Sequence, residues 1–159
     1  MHNWKKAETS RNFMLNIAKP PKYKIDDFIH LCRCKKRSVV ALMWKNLKLV
    51  AYGVNHGFSD EFEVCDCKTG VRNTNCTHAE DMIFNVKDPD IYHGCVLEIN
   101  WFPCSRCADN IIKHKVKAVC WTDGKHFESS DKLKLAGIEC FYGTYEMYLD
   151  KLGEVQCKN

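Results

Sequence analysis

The chain has 159 residues, of which 45% are hydrophobic and 28% are charged, so a single domain over residues 1–159 can bury a proper core. The net charge of +4 is small, which does not demand a nucleic-acid partner. No apolar run reaches the length of a membrane span and no signal peptide is evident, so we expect a cytoplasmic protein without membrane contact. Eleven cysteines are unusual for such a chain and point to reduced thiols that bind metal or fill the core.

The N-terminal part of the chain predicts helices followed by a hairpin. Residues 1–20 are expected to form a helical extension, with apolar side chains at helical spacing over 4–18. Pro21 can open a second helix that runs through Phe28 and Leu31. The segments "SVVALMW" and "KNLKLVAYG" are two strands joined by a turn near Lys45–Asn46, and a long loop over residues 54–76 follows.

From residue 77 onward, helical and extended patterns alternate. Thr77 is a predicted cap of the first of these helices, Ser129 or Ser130 caps a later one, and Gly137 ends it. Such alternation is typical of an α/β sheet with helices on both faces. The predicted helices are residues 77–86, 104–114, 129–137 and 144–152, and the predicted strands are residues 94–102, 117–122 and 138–143.

Two short motifs, "HAE" and "PCSRC", carry the chemistry. A catalytic zinc ion takes three protein ligands and leaves one position for water, which His78, Cys104 and Cys107 would provide. The two cysteines lie three residues apart at a helix start, where negative charge is favoured, so both are suited to be thiolates. His-x-Glu together with Pro-Cys-x-x-Cys is the known signature of zinc-dependent deaminases, in which zinc lowers the pKa of its water.

Glu80 has the placement of a proton shuttle. It is two residues beyond His78, about 200° around a helix, which is too far to share the ligand sphere. A carboxylate there can take a proton from the zinc-bound water, give it to the ring nitrogen and later protonate the departing amine. The alternative is a closed structural zinc site with an ordinary helix glutamate.

Residues 21–142 resemble the deoxycytidylate (dCMP) deaminases of the cytidine deaminase superfamily, most closely the small viral members. The resemblance rests on "SVVALMW", "HAEDMIF", "GCVLEINWFPCSRCADNIIKHKVKAV" and "LKLAGIECF". It implies a three-layer α/β/α fold around a central five-stranded mixed sheet, and the hydrolysis of dCMP to dUMP and ammonia. It also implies a homo-oligomer, usually a hexamer, and deoxynucleoside triphosphate effectors in some members.

The resemblance further assigns substrate contacts. The amide of Ala79 would meet the base carbonyl, the carbonyl of Phe102 would lie near the exocyclic amine, and Asn55 would contact the sugar. In "YGVNHG" a valine and a histidine replace the residues that usually flank the asparagine, and Asn55 can equally be a turn residue. Candidate phosphate contacts are Lys68, Arg72, Lys87 and His56.

The remaining cysteines fall into two groups. By resemblance to viral relatives with a second, structural zinc, its ligands here would be Cys34, Cys65, Cys67 and Cys76, a four-sulfur closed site. Cys32 could replace Cys34, and a scatter of unrelated thiols is the other interpretation. Three more cysteines lie in predicted strands, where a thiol acts as a small apolar side chain: Cys95, Cys120 and Cys140.

Two other functions compete with nucleotide deamination. A deaminase of tRNA or single-stranded DNA bases would need stacking aromatic side chains, for which Trp101, Trp121 and Tyr142 are available. A zinc module that only binds is the other alternative, but it would have no use for Glu80.

Overall fold

The computed structural model describes residues 21–34, 36–57, 62–65, 76–124 and 126–158, so the helix expected over 4–18 lies outside the described residues. The strands are β1 (Val40–Lys45), β2 (Lys48–Val54), β3 (His56–Gly57), β4 (Cys76–Thr77), β5 (Val96–Ile99), β6 (Ala118–Trp121) and β7 (Glu139–Tyr142). The helices are α1 (Ala79–Phe84), α2 (Ser105–Lys113), α3 (Phe127–Leu135) and α4 (Tyr145–Lys158).

A five-stranded mixed sheet forms the centre of the fold, in the order β2-β1-β5-β6-β7. Strand β1 is antiparallel to both of its neighbours, whereas β5, β6 and β7 are parallel to one another. The predicted hairpin is confirmed, with its turn one residue later than expected, at Asn46 and Leu47. Both of these residues have positive φ, 49° and 69°, which suits a two-residue hairpin turn.

Side chains that alternate along β1 divide the core into two layers. Ala41 and Met43 point to one cluster, which α1, α2 and α3 cover, whereas Leu42 and Trp44 point to another, which α4 covers. All four side chains are at most 1% exposed, because helices cover both faces of this central strand. The expected three-layer α/β/α arrangement is confirmed.

The helix predicted to follow Pro21 is wrong. Two 3₁₀ turns, Ile25–Asp27 and Ile29–Leu31, occupy this segment. Ile25, Phe28 and Leu31 are three residues apart, so a turn of three residues places them on one side, where they pack on the second core cluster. Among the described residues, no helix combines the length and the apolar character that a membrane crossing requires.

Three local predictions, two of helix caps and one of a loop, are corrected. Thr77 is not a cap, because it lies in β4 and its hydroxyl donates to the carbonyl of Gly57, so α1 begins after His78. Helix α3 begins at Phe127, before Ser129 and Ser130, so neither serine is its cap. The loop predicted over 54–76 contains β3 at its start and β4 at its end, paired antiparallel. Gly137, with a φ of 81°, does follow α3 as expected.

Candidate active site

The three predicted zinc ligands lie at the starts of two helices. His78 follows β4 and occupies the position just before α1. Cys104 occupies the corresponding position before α2, and Cys107 is in the first turn of that helix. The carboxyl end of β5 leads to α2, so the sheet edge places the cysteines, as is usual for α/β sites.

The distances among these side chains fit a zinc ion. His78 Nδ1 is 3.7 Å from the sulfur of Cys104 and 3.5 Å from the sulfur of Cys107. Zinc–nitrogen and zinc–sulfur bonds of about 2.0 and 2.3 Å at a tetrahedral angle would separate these atoms by about 3.5 Å. All three ligand atoms lie within 4.8 Å of one another. The donor set and its spacing therefore suit one tetrahedral zinc with an open position.

Hydrogen bonds among the three side chains shift their protonation. The hydrogen bond between the two cysteines lowers the pKa of Cys104 to about 3. The same hydrogen bond, together with burial, raises the pKa of Cys107. The hydrogen bond with Cys104 raises the pKa of His78 against the effect of burial. A metal takes the place of the shared protons, since its ligands bind as thiolates and neutral imidazole.

Glu80 is buried directly beside this group. Its side chain is in the first turn of α1, with 3% of the residue exposed. Burial raises the pKa of Glu80 to about 7, and the nearby His78 and Cys107 act in the opposite direction. A carboxyl group that exchanges its proton near neutral pH is matched to a proton-transfer role.

The start of α1 rests on the backbone of β2. A Cβ atom on Gly53 would overlap the carbonyl oxygen of Ala79 and would lie 2.9 Å from its carbonyl carbon. It would also lie 3.1 Å from Cγ1 of Ile83, so only glycine allows this approach. The helix that contains Ala79 and Glu80 is thus held against the sheet by direct backbone contact.

Asn55 is buried at the end of β2, and its side chain binds the neighbouring loop. Its Oδ1 accepts from the backbone N–H of Val39 at 3.0 Å, and its Nδ2 donates to the carbonyl of Arg37 at 2.6 Å. An amide has two hydrogens on Nδ2 and two lone pairs on Oδ1, so these two bonds to described residues use half of that capacity, and the rest suits a ligand hydroxyl. The turn-residue alternative does not describe this residue, which is 5% exposed and follows a strand.

Phe102 is held by a backbone hydrogen bond and by a ring contact. Its N–H donates to the carbonyl of Asp123 at 2.8 Å, and its ring contacts Trp121 edge to face. The preceding Trp101 has the Arg37 guanidinium 3.4 Å above its ring, and a Cβ on Gly124 would lie 2.7 Å from the same ring system. These contacts hold residues 101 and 102 in place beside the start of α2.

A second group of thiols includes Cys76 of β4, two residues before His78. The sulfurs of Cys34, Cys65 and Cys76 lie within 4.8 Å of one another, and Cys67 lies outside the described residues. A backbone bridge joins Cys34 to Cys65. The thiol of Cys32 instead donates to the carbonyl of Val39 at 3.4 Å, and the sulfur that lies with Cys65 and Cys76 is that of Cys34.

The phosphate candidates receive little support. Lys68 and Arg72 lie outside the described residues. Lys87 is exposed beyond the far end of α1 from His78. His56 is buried, with its Nδ1 2.7 Å from the carbonyl of Gly57.

Sequence reasoning missed several side chains that support the site. Asp81 and Arg106 form an ion pair between α1 and α2 at 2.7 Å. Ser129, which is fully buried, donates to the carbonyl of Pro103 at 2.8 Å, directly before Cys104. The opposite charges beside "HAE" and within "PCSRC" were a signal for the first contact, whereas nothing in the pattern signals the second.

Comparison with known structures shows the same fold. The dCMP deaminase from the cyanophage S-TIM5, in complex with dCMP and dUMP, is 24% identical with a TM-score of 0.63, and the match covers 84% of this chain and 95% of that chain. Its apo form is 23% identical with a TM-score of 0.58, covering 74% and 89%. A diaminohydroxyphosphoribosylaminopyrimidine deaminase/5-amino-6-(5-phosphoribosylamino)uracil reductase from Thermotoga maritima is 22% identical with a TM-score of 0.52, covering 77% and 34%.

A search of curated proteins found no match. A sequence model of a known family does match, over residues 27–122, and its description is the cytidine and deoxycytidylate deaminase zinc-binding region. The matched region includes His78, Glu80, Cys104 and Cys107, the residues that the fold brings together. This chain belongs to the cytidine and deoxycytidylate deaminase family and is a hydrolytic deaminase.

Proposed function

We propose that the chain is a zinc-dependent enzyme that hydrolyses dCMP to dUMP and ammonia. The observation that carries this is the buried carboxyl of Glu80 beside the His78, Cys104 and Cys107 ligand group. A structural zinc site has no need for a buried carboxyl in that place. The cyanophage S-TIM5 enzyme, which has the same fold and was crystallised with dCMP and dUMP, supports a cytosine nucleotide as substrate.

The residues of the chain divide the work of the reaction. His78, Cys104 and Cys107 would hold a zinc ion, which when bound would supply a Lewis acid that lowers the pKa of water and so favours its addition to C4 of cytosine. Glu80 would pass one proton of the attacking water to N3. It would then pass the second proton, from the hydroxyl formed on C4, to the amine, which leaves as ammonia as the C4 carbonyl of dUMP forms. The amide of Ala79 holds the base carbonyl.

Two further contacts complete the substrate assignment. The carbonyl of Phe102 accepts a hydrogen bond from the exocyclic amine, and the free capacity of the Asn55 amide serves the sugar. Both groups are rigid because backbone hydrogen bonds fix them, at 2.8 Å for Phe102 and at 2.6 and 3.0 Å for Asn55. Such fixed donors and acceptors lower the reorganisation that the reaction requires.

The shuttle role is tested by Glu80→Gln. The variant keeps the shape of the side chain and removes the exchangeable proton, so turnover should fall by about 10²–10⁴-fold with zinc content unchanged. Zinc per chain and kcat for dCMP are the two measurements. A variant that turns over dCMP at the wild-type rate would show that another group moves the protons.

The substrate is tested with a panel of dCMP, deoxycytidine, CMP and a cytosine-containing oligonucleotide. We expect activity on dCMP, because two of the three candidate stacking rings, Trp101 and Trp121, already contact other side chains. Trp101 carries the Arg37 guanidinium on its ring, and Trp121 and Tyr142 pack on each other with centroids 4.8 Å apart. Turnover of the oligonucleotide alone would replace this proposal with a nucleic-acid deaminase.

We also propose a structural zinc at Cys34, Cys65 and Cys76, with Cys67 as the fourth ligand. Three sulfurs within 4.8 Å fit tetrahedral zinc after small adjustments, since two sulfurs on one zinc are about 3.8 Å apart. Metal analysis should give two zinc ions per chain. A hexameric assembly, deoxynucleoside triphosphate effectors, one domain over 1–159 and a cytoplasmic location stay predictions.

A further inference from the structure

Helices α1 and α2 bring the metal ligands together, and one ion pair connects their first turns. Asp81 Oδ1 accepts from Arg106 Nη1 at 2.7 Å, and Asp81 Oδ2 accepts from Arg106 Nη2 at 2.8 Å. This is the parallel, two-bond geometry in which arginine fixes both distance and orientation. Neither side chain belongs to the ligand group of His78, Cys104 and Cys107.

The same carboxylate also holds a metal ligand by its backbone. Asp81 Oδ2 accepts from the N–H of His78 at 3.1 Å, closing the start of α1. On the other side, Arg106 lies between Cys104 and Cys107 in the sequence, so its backbone is part of the turn that presents both sulfurs. The ion pair therefore joins the backbone of the histidine ligand to the backbone of the cysteine ligands.

Helix α1 needs such a tether because it is short. It has six residues, whereas an isolated helix of fewer than about 12 residues is marginal in water. Its direction must come from contacts with other elements, namely the Gly53 backbone on one side and Arg106 on the other. The burial of Asp81 opposes its ionisation, but the bonds from Arg106 and His78 outweigh this and hold its pKa below the usual range.

We propose that the Asp81–Arg106 pair is a positioning device that sets the separation of His78 from Cys104 and Cys107, and so the retention of the catalytic zinc. The inference rests on the proposed zinc at these ligands. Asp81 and Arg106 are positioning residues, since they act on the metal through the backbone of its ligands. Because the pair has no net charge, it should act on the metal through the positions of the ligand atoms, and so on the rate at which the metal leaves.

The test compares two variants of the pair with a matched control. Asp81→Asn weakens both the pair and the bond to His78, whereas Arg106→Met removes the pair only. The control is Asp109→Asn, because Asp109 also lies on α2 and its ion pair, with Lys132 of α3 at 2.9 Å, includes neither Asp81 nor Arg106. Lys132 also donates to the Ser105 hydroxyl at 2.7 Å, and asparagine at 109 leaves both partners of that bond in place. Zinc release to a chromophoric chelator is followed in each purified protein.

The phase of zinc release that is present in wild-type protein and missing in His78→Ala belongs to the catalytic site. In that phase, Asp81→Asn and Arg106→Met should each release zinc about tenfold faster, the lower end of the effect of losing a partner of a metal ligand. The double variant should match Asp81→Asn alone, since the two side chains act as one unit. Asp109→Asn should release zinc at the wild-type rate.

A merely structural role would lower the melting temperature of Asp81→Asn, Arg106→Met and the double variant and leave their zinc release unchanged. That result would overturn the inference. Equal acceleration by Asp109→Asn would overturn it as well. Arg106 is largely exposed, with 59% of its side chain accessible, so Arg106→Met is expected to fold and decides the question even if Asp81→Asn does not. If wild-type protein and His78→Ala release zinc in the same kinetic phases, His78 holds no zinc and the proposed zinc site itself fails.

Discussion

Gly53→Ala tests whether the contact between β2 and α1 positions the catalytic groups. The new Cβ would overlap the Ala79 carbonyl oxygen and lie 3.1 Å from Cγ1 of Ile83, so the first turn of α1 must move away from the sheet. The neighbour that is overlapped is backbone and cannot change rotamer. Overpacking of this kind costs about 1–3 kcal/mol.

The magnitude follows from these contacts. About 2 kcal/mol in a domain of this size lowers the melting temperature by roughly 4–8 °C. Activity should fall further, because Ala79 and Glu80 move with the backbone and a displacement of about 1 Å can cost about 10²-fold in rate. We expect kcat/KM for dCMP to fall by about that factor at temperatures where the variant is folded.

The measurements are a thermal melt, zinc content and kcat/KM for dCMP. Gly153→Ala is the control, because Gly153 lies in α4 and its Cβ would meet no atom of the described part of the chain within 4 Å. Alanine there should stabilise the protein by about 0.5–1 kcal/mol and leave kcat/KM alone. If Gly53→Ala retains wild-type kcat/KM, the backbone contact does not position the site and the reasoning is refuted.

Two other predictions address the thiol group and the support of Cys104. Cys34→Ser should lower metal content from two zinc ions to one per chain, whereas Cys32→Ser should keep both, because the Cys32 thiol is bonded to a carbonyl outside the thiol group. Equal zinc loss in both would refute the ligand assignment. Ser129→Ala leaves the buried carbonyl of Pro103 without its hydroxyl donor, so it should destabilise by about 1–3 kcal/mol in a denaturant titration. Ser130→Ala is its control, and equal effects of the two would refute the role of this bond.

The ligand set of the candidate site could be predicted from the sequence because its spacing is local. Cys104 and Cys107 lie in one helical turn, and His78 with Glu80 opens another, so the pattern carries the chemistry directly. The alternation from residue 77 onward likewise predicted the sheet and its covering helices. Periodicity works there because each strand and helix buries a face with its own repeat.

The local errors have a different physical origin. Ser129 has the residue type of a helix cap, but its hydroxyl reaches the Pro103 carbonyl, 26 residues away in the sequence. Thr77 also has the residue type of a cap, whereas pairing of β4 with β3 takes its hydroxyl to Gly57. In both cases a tertiary partner competes with the local one, and a single sequence does not contain that partner's position.

The β3–β4 ladder connects the proposed structural zinc to the catalytic groups. Gly57 pairs with Cys76, and His56 pairs with Thr77, so the proposed thiol ligand lies in this short ladder and the proposed zinc ligand His78 follows it directly. The ladder begins directly after Asn55, the proposed sugar contact. Loss of zinc from Cys34→Ser should therefore loosen both neighbours, with KM for dCMP rising through Asn55 and catalytic zinc leaving faster through His78. A variant that has lost one zinc but keeps wild-type KM and zinc release would show that the ladder holds without the metal.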